Sequence, residues 1–228
     1  CRFIGCYKNK AYKWGYFPKV KKYEDIDTLV DGKTKNSFLF VGRFIDWKRP
    51  ELAVKIAKKL KEDGYDFTLD MIGIGDREAK TKCLIRKSGL DARVRLLGSM
   101  SPEKVREHME KAEIFLFTSN KQEGWGAVLN ESMNSACAVV ASGEIGSVPY
   151  LIEDGKTGFT FKSKKDLYKK VKYLLDNPEK RKAIGLNAYK TMAETWNAET
   201  AADRLLTLIQ NLKEDKDTEY NSGPCSKD

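Results

Sequence analysis

The sequence has a single histidine, His108, in the middle of a basic segment with helical character. A Ser-His-Asp triad and a His-ligated metal pair are therefore excluded within this chain. No run of about 18 apolar residues occurs, so nothing in it reads as a membrane-spanning helix. The first residues, CRFIGCYKNK, lack the apolar core and small-residue cleavage site of a secretory signal. They also lack an initiator Met, which points to a piece of a longer protein. The cysteines (Cys1, Cys6, Cys83, Cys137 and Cys225) are odd in number, scattered and without C-x-x-C spacing. That pattern disfavours a disulfide framework or zinc site and suits a reducing, cytoplasmic setting. Cys83 and Cys137 lie in apolar contexts and read as small core residues.

Several familiar signatures are incomplete. GIGDRE (73–78) follows an apolar run, but Glu78 stands where a dinucleotide fingerprint needs its third glycine. GKT (155–157) would need Gly, not Tyr150, at the start of a phosphate loop. The Asp-x-Asp pairs DID (25–27) and DKD (215–217) lie in polar extensions, away from any strand end, and are set aside as metal sites. There is no helix-turn-helix, RNP or zinc-finger pattern, so nucleic acid is the weakest partner for a net charge of +9. An anionic ligand or an anionic membrane surface suits that charge better. The densest basic stretch, KSKKDLYKKVKY (162–173), carries Leu167, Val171 and the following Leu174 at helical spacing and reads as a solvated helix face.

What is present is a regular alternation. Hydrophobic residues make up 41% of the chain, enough for one large core. The apolar runs SFLFVG (37–42), DFTLDMIG (66–73), RVRLLG (93–98), EIFLFTS (113–119), AVVAS (138–142) and TGFTF (157–161) predict six strands. Between them PELAVKIAKKLKEDG, DREAKTKCLIRKSG, SPEKVREHMEKA and GAVLNESMNSA carry helical spacing, with Pro50, and Ser101-Pro102, as start signals. Helices dominate from Lys164 to about Leu212. Continuous apolar strands alternating with helices predict an α/β, Rossmann-like, doubly wound parallel sheet over residues 36–212. Its ligand site is expected beyond the carboxyl ends of the strands. Residues 1–35 read as a leader, with a clustered YKWGYFP, and 213–228 as a flexible polar tail.

Two stretches bear on chemistry. In VGRFIDWKRPE (41–51), Gly42 ends a strand, and Arg43 and Lys48 precede a helix start, an arrangement suited to a diphosphate. In EGWGAVLNE (123–131), two carboxylates flank a Gly-Trp-Gly turn. An acid/base pair, a metal site, a ligand clamp and two unrelated surface acids are all compatible with that spacing. Glu131 falls in the predicted helix and Glu123 in the turn before it, and glycines there let a backbone approach an anion closely.

Taken in order, FLFVGRFIDWKRPELAVKIA, LDMIGIGD, VRLLGSMSPEKV, IFLFTSNKQEGWGAVLNESM and IGSVPYLIEDGKTGFTF resemble the C-terminal domain of the group 1, or GT4, retaining glycosyltransferases of GT-B fold. The likeness runs from about Phe38 to Phe161, and Glu123 and Glu131 match the family's E-x7-E motif. It implies that Arg43 and Lys48 grip the diphosphate of a nucleotide-sugar. It implies that Glu123, with the amides of Gly124, Trp125 and Gly126, holds the donor sugar and its phosphate. Glu131 would accept from the ribose hydroxyls, and Gly42, Gly73, Leu97, Ser99 and Met100 would border the phosphate and base. Arg43, Lys48 and Glu123 are the catalytic candidates, with no cofactor or metal, and the nucleotide is most simply UDP.

The chain departs from the family pattern at Val41, where many members have a second Gly, and at Ser132 and the small run Ala136, Cys137, Ala138. The resemblance further implies an N-terminal acceptor domain, for which residues 1–35 are too few, and a glycan or lipid-linked acceptor. A cytoplasmic protein in peripheral contact with the membrane fits that acceptor. A stand-alone nucleotide-sugar-binding module without catalysis is the alternative, with a basic nucleic-acid-binding domain behind it.

Overall fold

A computed structural model describes residues 11–227, so the readings made on Cys1 and Cys6 and on the first ten residues lie outside it. The six expected strands form: β1 (Thr34–Val41), β2 (Thr68–Ile72), β3 (Val94–Leu96), β4 (Ala112–Phe117), β5 (Ala138–Ser142) and β6 (Phe159–Phe161). All neighbouring pairs are parallel, in the order β3-β2-β1-β4-β5-β6. The order reverses between β1 and β4, which places the switch point of this Rossmann-like sheet above those two strands.

Alternate side chains of the central strands enter two separate cores. Phe38, Phe40, Ile114, Leu116 and Val140 face one core, built with α2 (Pro50–Glu62), α3 (Glu78–Lys87) and α7 (Lys164–Asp176). Leu39, Phe115, Phe117, Val139 and Ala141 face the other, built with α4 (Pro102–Lys111), α5 (Val128–Asn134) and α6 (Val148–Leu151). Burial on both faces is why these strands read as unbroken apolar runs. Each fully buried Phe or Leu contributes about 1.5–3 kcal/mol relative to exposure.

The helices begin where their caps lie. Ser101 accepts the Lys104 amide ahead of Pro102, Ser163 accepts that of Asp166, and Asn197 opens α9 (Ala198–Lys213). Pro178 starts α8 (Pro178–Lys190), which passes into a π-helical turn, Thr191–Thr195. No helix of the described residues is long and apolar enough to cross a membrane.

The structure corrects three expectations. The leader contains α1 (Ile26–Asp31), capped by Asp25, and β1 begins at Thr34 with a register shift before Phe38 and Asn36 at φ 53°. Neither α1 nor Thr34–Asn36 has the apolar pattern that would reveal it, because α1 buries no residue. Cys83 is exposed on α3, whereas Cys137 is buried as expected. The segment expected to trail as a flexible tail folds back instead. Cys225 and Ser226 are each 1% exposed, the Lys13 amide donates to the Ser226 carbonyl and the Cys225 amide to the Lys13 carbonyl, both at 2.8 Å, and Arg204 donates to the Ser222 carbonyl at 2.6 Å. Its polar composition hides these contacts because backbone groups make most of them.

Candidate functional site

The loops leaving β1 and β4 meet at the switch point. Lys48, at the end of a 3-10 turn over Asp46–Lys48, pairs its Nζ with Glu123 Oε2. Both side chains are largely buried, at 14% and 13% exposure. Glu123 also accepts from Ser119 Oγ at 3.0 Å, and Lys48 Nζ lies 5.9 Å from the centre of the Phe117 ring. The Lys48 methylenes pass over Gly42, 3.5–3.8 Å from where a Cβ there would sit. Arg43 is exposed, stacks over Trp47 at 5.6 Å and has no carboxylate partner among the described residues.

Three glycines let these backbones approach. Gly73, at φ 139°, has no space for a Cβ because the Gly42 carbonyl occupies it, and its amide donates to Gly98 O at 2.7 Å. Gly126, at φ 73°, sits against the Phe117 ring and the Glu123 side chain. Gly124 lies against Gly146, whose amide donates to the Glu123 carbonyl at 3.1 Å. Among the described residues, the amides of Gly124, Trp125 and Gly126 donate to no protein acceptor. That leaves a short row of N–H donors beside the Lys48–Glu123 pair.

Trp125 divides its roles. Its indole is packed inward, stacked on Tyr150, edge-on to Tyr16 and beside Trp196, with Nε1 donating to Asn130 Oδ1 at 2.9 Å. Gly15 lies so close to the ring that any side chain there would overlap it. With its ring so committed, Trp125 turns its backbone to the site. Leu97 and Met100 pack partly buried against the α4–α5 core, and Ser99 is exposed.

Glu131 occupies a different setting from Glu123. It stands in the first turn of α5 and lines a cavity of about 390 Å³ with Arg106 and Met109 of α4 and Lys19 and Lys21 of the leader. Burial raises its carboxyl pKa, and the Arg106 charge opposes that rise. Arg106 itself is spent on the Glu131 carbonyl, Asn134 Oδ1 and Ser135 Oγ. The carboxylate of Glu131 accepts no hydrogen bond from the described residues.

Arg49 was not among the candidates. It adopts the left-handed conformation (φ 52°, ψ 51°) between the 3-10 turn and α2. Its guanidinium donates to Thr118 O at 2.5 Å, Ser119 O at 2.8 Å and Ser142 Oγ at 3.0 Å, so it ties together the exits of β1, β4 and β5. Thr118 Oγ1 donates back to Lys48 O at 2.7 Å, and Asn120 N donates to Trp47 O at 2.8 Å. The only trace of this in the sequence is a cation directly before Pro50, next to the one that points at Glu123.

The fold and the paired loops define a class: a Rossmann-like, doubly wound domain with an ion pair and open amides at its switch point. The family model for "Glycosyl transferases group 1" matches residues 22–191, and the chain belongs to that family. It is 30% identical over 177 residues to the alpha-D-kanosaminyltransferase of Streptomyces kanamyceticus, covering 76% of this chain and 45% of that protein. Among solved structures it resembles a mutant TarM of S. aureus in complex with fondaparinux, alpha-GlcNAc-glycerol and UDP, at TM-score 0.73 and 22% identity. That match covers 84% of this chain and 38% of the other. It also resembles the C-terminal domain of the group 1 protein LpcC from Francisella tularensis, at TM-score 0.66 and 21% identity, covering 77% and 95% respectively. The chain thus spans less than half the length of the kanosaminyltransferase but nearly the whole of an isolated C-terminal domain.

Proposed function

We propose that this chain is the donor-binding domain of a retaining, metal-independent glycosyltransferase that uses a nucleoside diphosphate sugar. The observation that carries the reading is the buried Lys48–Glu123 pair beside the unengaged amides of Gly124, Trp125 and Gly126. A diphosphate entering there exchanges Glu123 for phosphate oxygens at Lys48 and accepts from the amides, while Arg43 closes from the exposed side. Glu123, released from Lys48, turns to the hydroxyls of the sugar. Glu131 accepts from the ribose diol, with the base against Leu97, Ser99, Met100 and the Gly73 turn. UDP is the nucleotide we favour, in keeping with the UDP bound by the TarM neighbour.

In the transfer step the bond from the anomeric carbon to the diphosphate breaks as the acceptor hydroxyl oxygen bonds to the same face of that carbon. The acceptor's proton passes to the departing phosphate oxygen, so no protein base is needed. Lys48 and Arg43 stabilise the negative charge growing on the leaving group. A hexosyl unit going to a glycan or lipid-linked acceptor completes the reading, with the acceptor held by a further N-terminal domain. A cytoplasmic, membrane-peripheral setting accords with the net charge of +9. A thermal-shift panel of UDP-, GDP- and ADP-sugars tests the donor assignment. Stabilisation by one nucleotide series, lost in Lys48→Ala, supports it, and an unchanged melting temperature with all of them at millimolar concentration contradicts it.

A further inference from the structure

A cavity of about 700 Å³ lies apart from Lys48, Glu123 and Glu131, none of which lines it. It lies at the carboxyl ends of the strands on the α2–α3–α7 side of the sheet, while Trp125 and Glu131 belong to the α4–α5 side. Its size falls within the range of roughly 300–1,000 Å³ typical of small-molecule sites.

Its lining is strongly cationic. Arg49 and Lys55 enter from the β1 exit and α2, Arg77, Lys80 and Lys87 from α3, and Lys162 and Lys164 from the β6 exit. Against these seven stand three acids, Asp46, Glu51 and Glu144, a surplus of four positive charges. Asp46 is bonded to Arg77, and Glu144 lies 3.5 Å from Arg49. Glu51 holds Arg77 at 3.5 Å and Lys80 at 3.6 Å, and its buried Oε1 accepts no hydrogen bond. Among the described residues, Lys55, Lys87, Lys162 and Lys164 have no carboxylate partner.

The backbone adds to the same sign. The lining includes Glu51 and Leu52 in the first turn of α2, the α3 N-cap Arg77, and the α7 N-cap Ser163. These helices are 13, 10 and 13 residues long, so three positive helix ends converge on one cavity with the unpaired lysines. Holding so many like charges together in a cleft costs free energy unless an anion is taken up.

We propose that this cavity binds a small molecule carrying two or more linked phosphate groups, separately from the donor site. Such a group brings several negative charges within a few bonds, which matches the surplus. Its oxygens suit both the arginine forks and the lysines. A single carboxylate leaves most of that charge uncompensated.

The test uses the full chain and inorganic tripolyphosphate, followed by isothermal titration at two salt concentrations. Binding of one equivalent in this cavity, besides any taken up at the donor site, is expected to weaken with salt. The double variant Lys80→Glu/Lys87→Glu is expected to lose about tenfold or more in affinity while staying folded by circular dichroism, since both side chains are exposed. Lys162→Glu/Lys164→Glu, on the opposite wall, serves as an independent variant. Lys48→Ala weakens whatever tripolyphosphate the donor site takes up and is expected to retain the equivalent bound in this cavity. Vesicles of phosphatidylcholine with cardiolipin separate a soluble ligand from a lipid headgroup. The proposal is overturned if tripolyphosphate does not bind, if only the vesicles bind, or if Lys48→Ala abolishes binding while both double variants retain it.

Discussion

Lys48 and Glu123 form a largely buried ion pair across the seam between β1 and β4, 75 positions apart in sequence. Ser119 steadies the carboxylate, and the lysine stem runs over Gly42. The pair puts one cation and one anion where the sheet order reverses, with unengaged amides alongside.

Lys48→Ala removes the cation expected to face the leaving diphosphate. In an enzyme that includes the acceptor domain, the loss is about 2–4 kcal/mol of transition-state stabilisation, or roughly thirty- to a thousandfold in kcat. Lys48→Arg is expected to restore part of it. Steady-state kinetics with the cognate donor checks this. Equal kcat in parent and Lys48→Ala removes Lys48 from the chemistry.

Glu131 links stability to pH. Burial raises its pKa, so the folded chain holds that proton to higher pH than the unfolded chain does. The associated stability is present in acid and declines as pH rises through the folded-state pKa. Glu131→Gln is therefore expected to melt higher than the parent at neutral pH, with the gap closing below the ordinary glutamate range. The same variant is expected to bind UDP about tenfold more weakly, having lost a charged acceptor for the ribose. Melting curves across pH and a UDP titration read the two effects separately, and a variant less stable than the parent at neutral pH contradicts the first.

Lys33 is a structural ammonium. Its Nζ lies within 2.8–3.1 Å of the carbonyls of Met109, Glu110, Ala112 and Ser135, where α4 and α5 end. Lys33→Met keeps the stem and leaves those carbonyls without their donor, at a cost of about 2–4 kcal/mol. Denaturant unfolding checks it; a loss under about 0.5 kcal/mol would mean that water replaces the ammonium without penalty.

Gly73→Ala places a methyl group against the Gly42 carbonyl at a φ of 139°. The exits of β1 and β2 must separate to admit it, costing about 2 kcal/mol or more in stability. Because Gly42 carries the Lys48 stem, donor affinity is expected to fall with it. A variant with unaltered melting temperature and UDP affinity would show that the β1–β2 mouth yields freely.

Most of the fold was legible because both faces of β1, β4 and β5 are buried, so each strand announces itself as an apolar run closed by a turn. Arg43, Lys48 and the glycines stand out as cations and turn residues at strand ends, and Glu123 through the E-x7-E likeness; the structure pairs Lys48 with Glu123 and leaves Arg43 exposed. Arg49 could not, since its left-handed backbone and its carbonyl partners on β4 exist only once the strands are adjacent. The folded-back C-terminal segment escaped for a similar reason: Cys225 and Ser226 are held by Lys13, more than 200 residues away. Trp125, marked as part of a phosphate turn, has a ring committed to Tyr16, Tyr150 and Trp196, a partnership that no local spacing reveals.

The most direct test of the central claim is a crystal structure of the chain soaked with UDP. The account predicts a diphosphate within hydrogen-bond distance of Lys48 Nζ and the amides of Gly124, Trp125 and Gly126, with the ribose on Glu131 and the Lys48–Glu123 pair parted. A diphosphate seated elsewhere, with that ion pair intact, would contradict it.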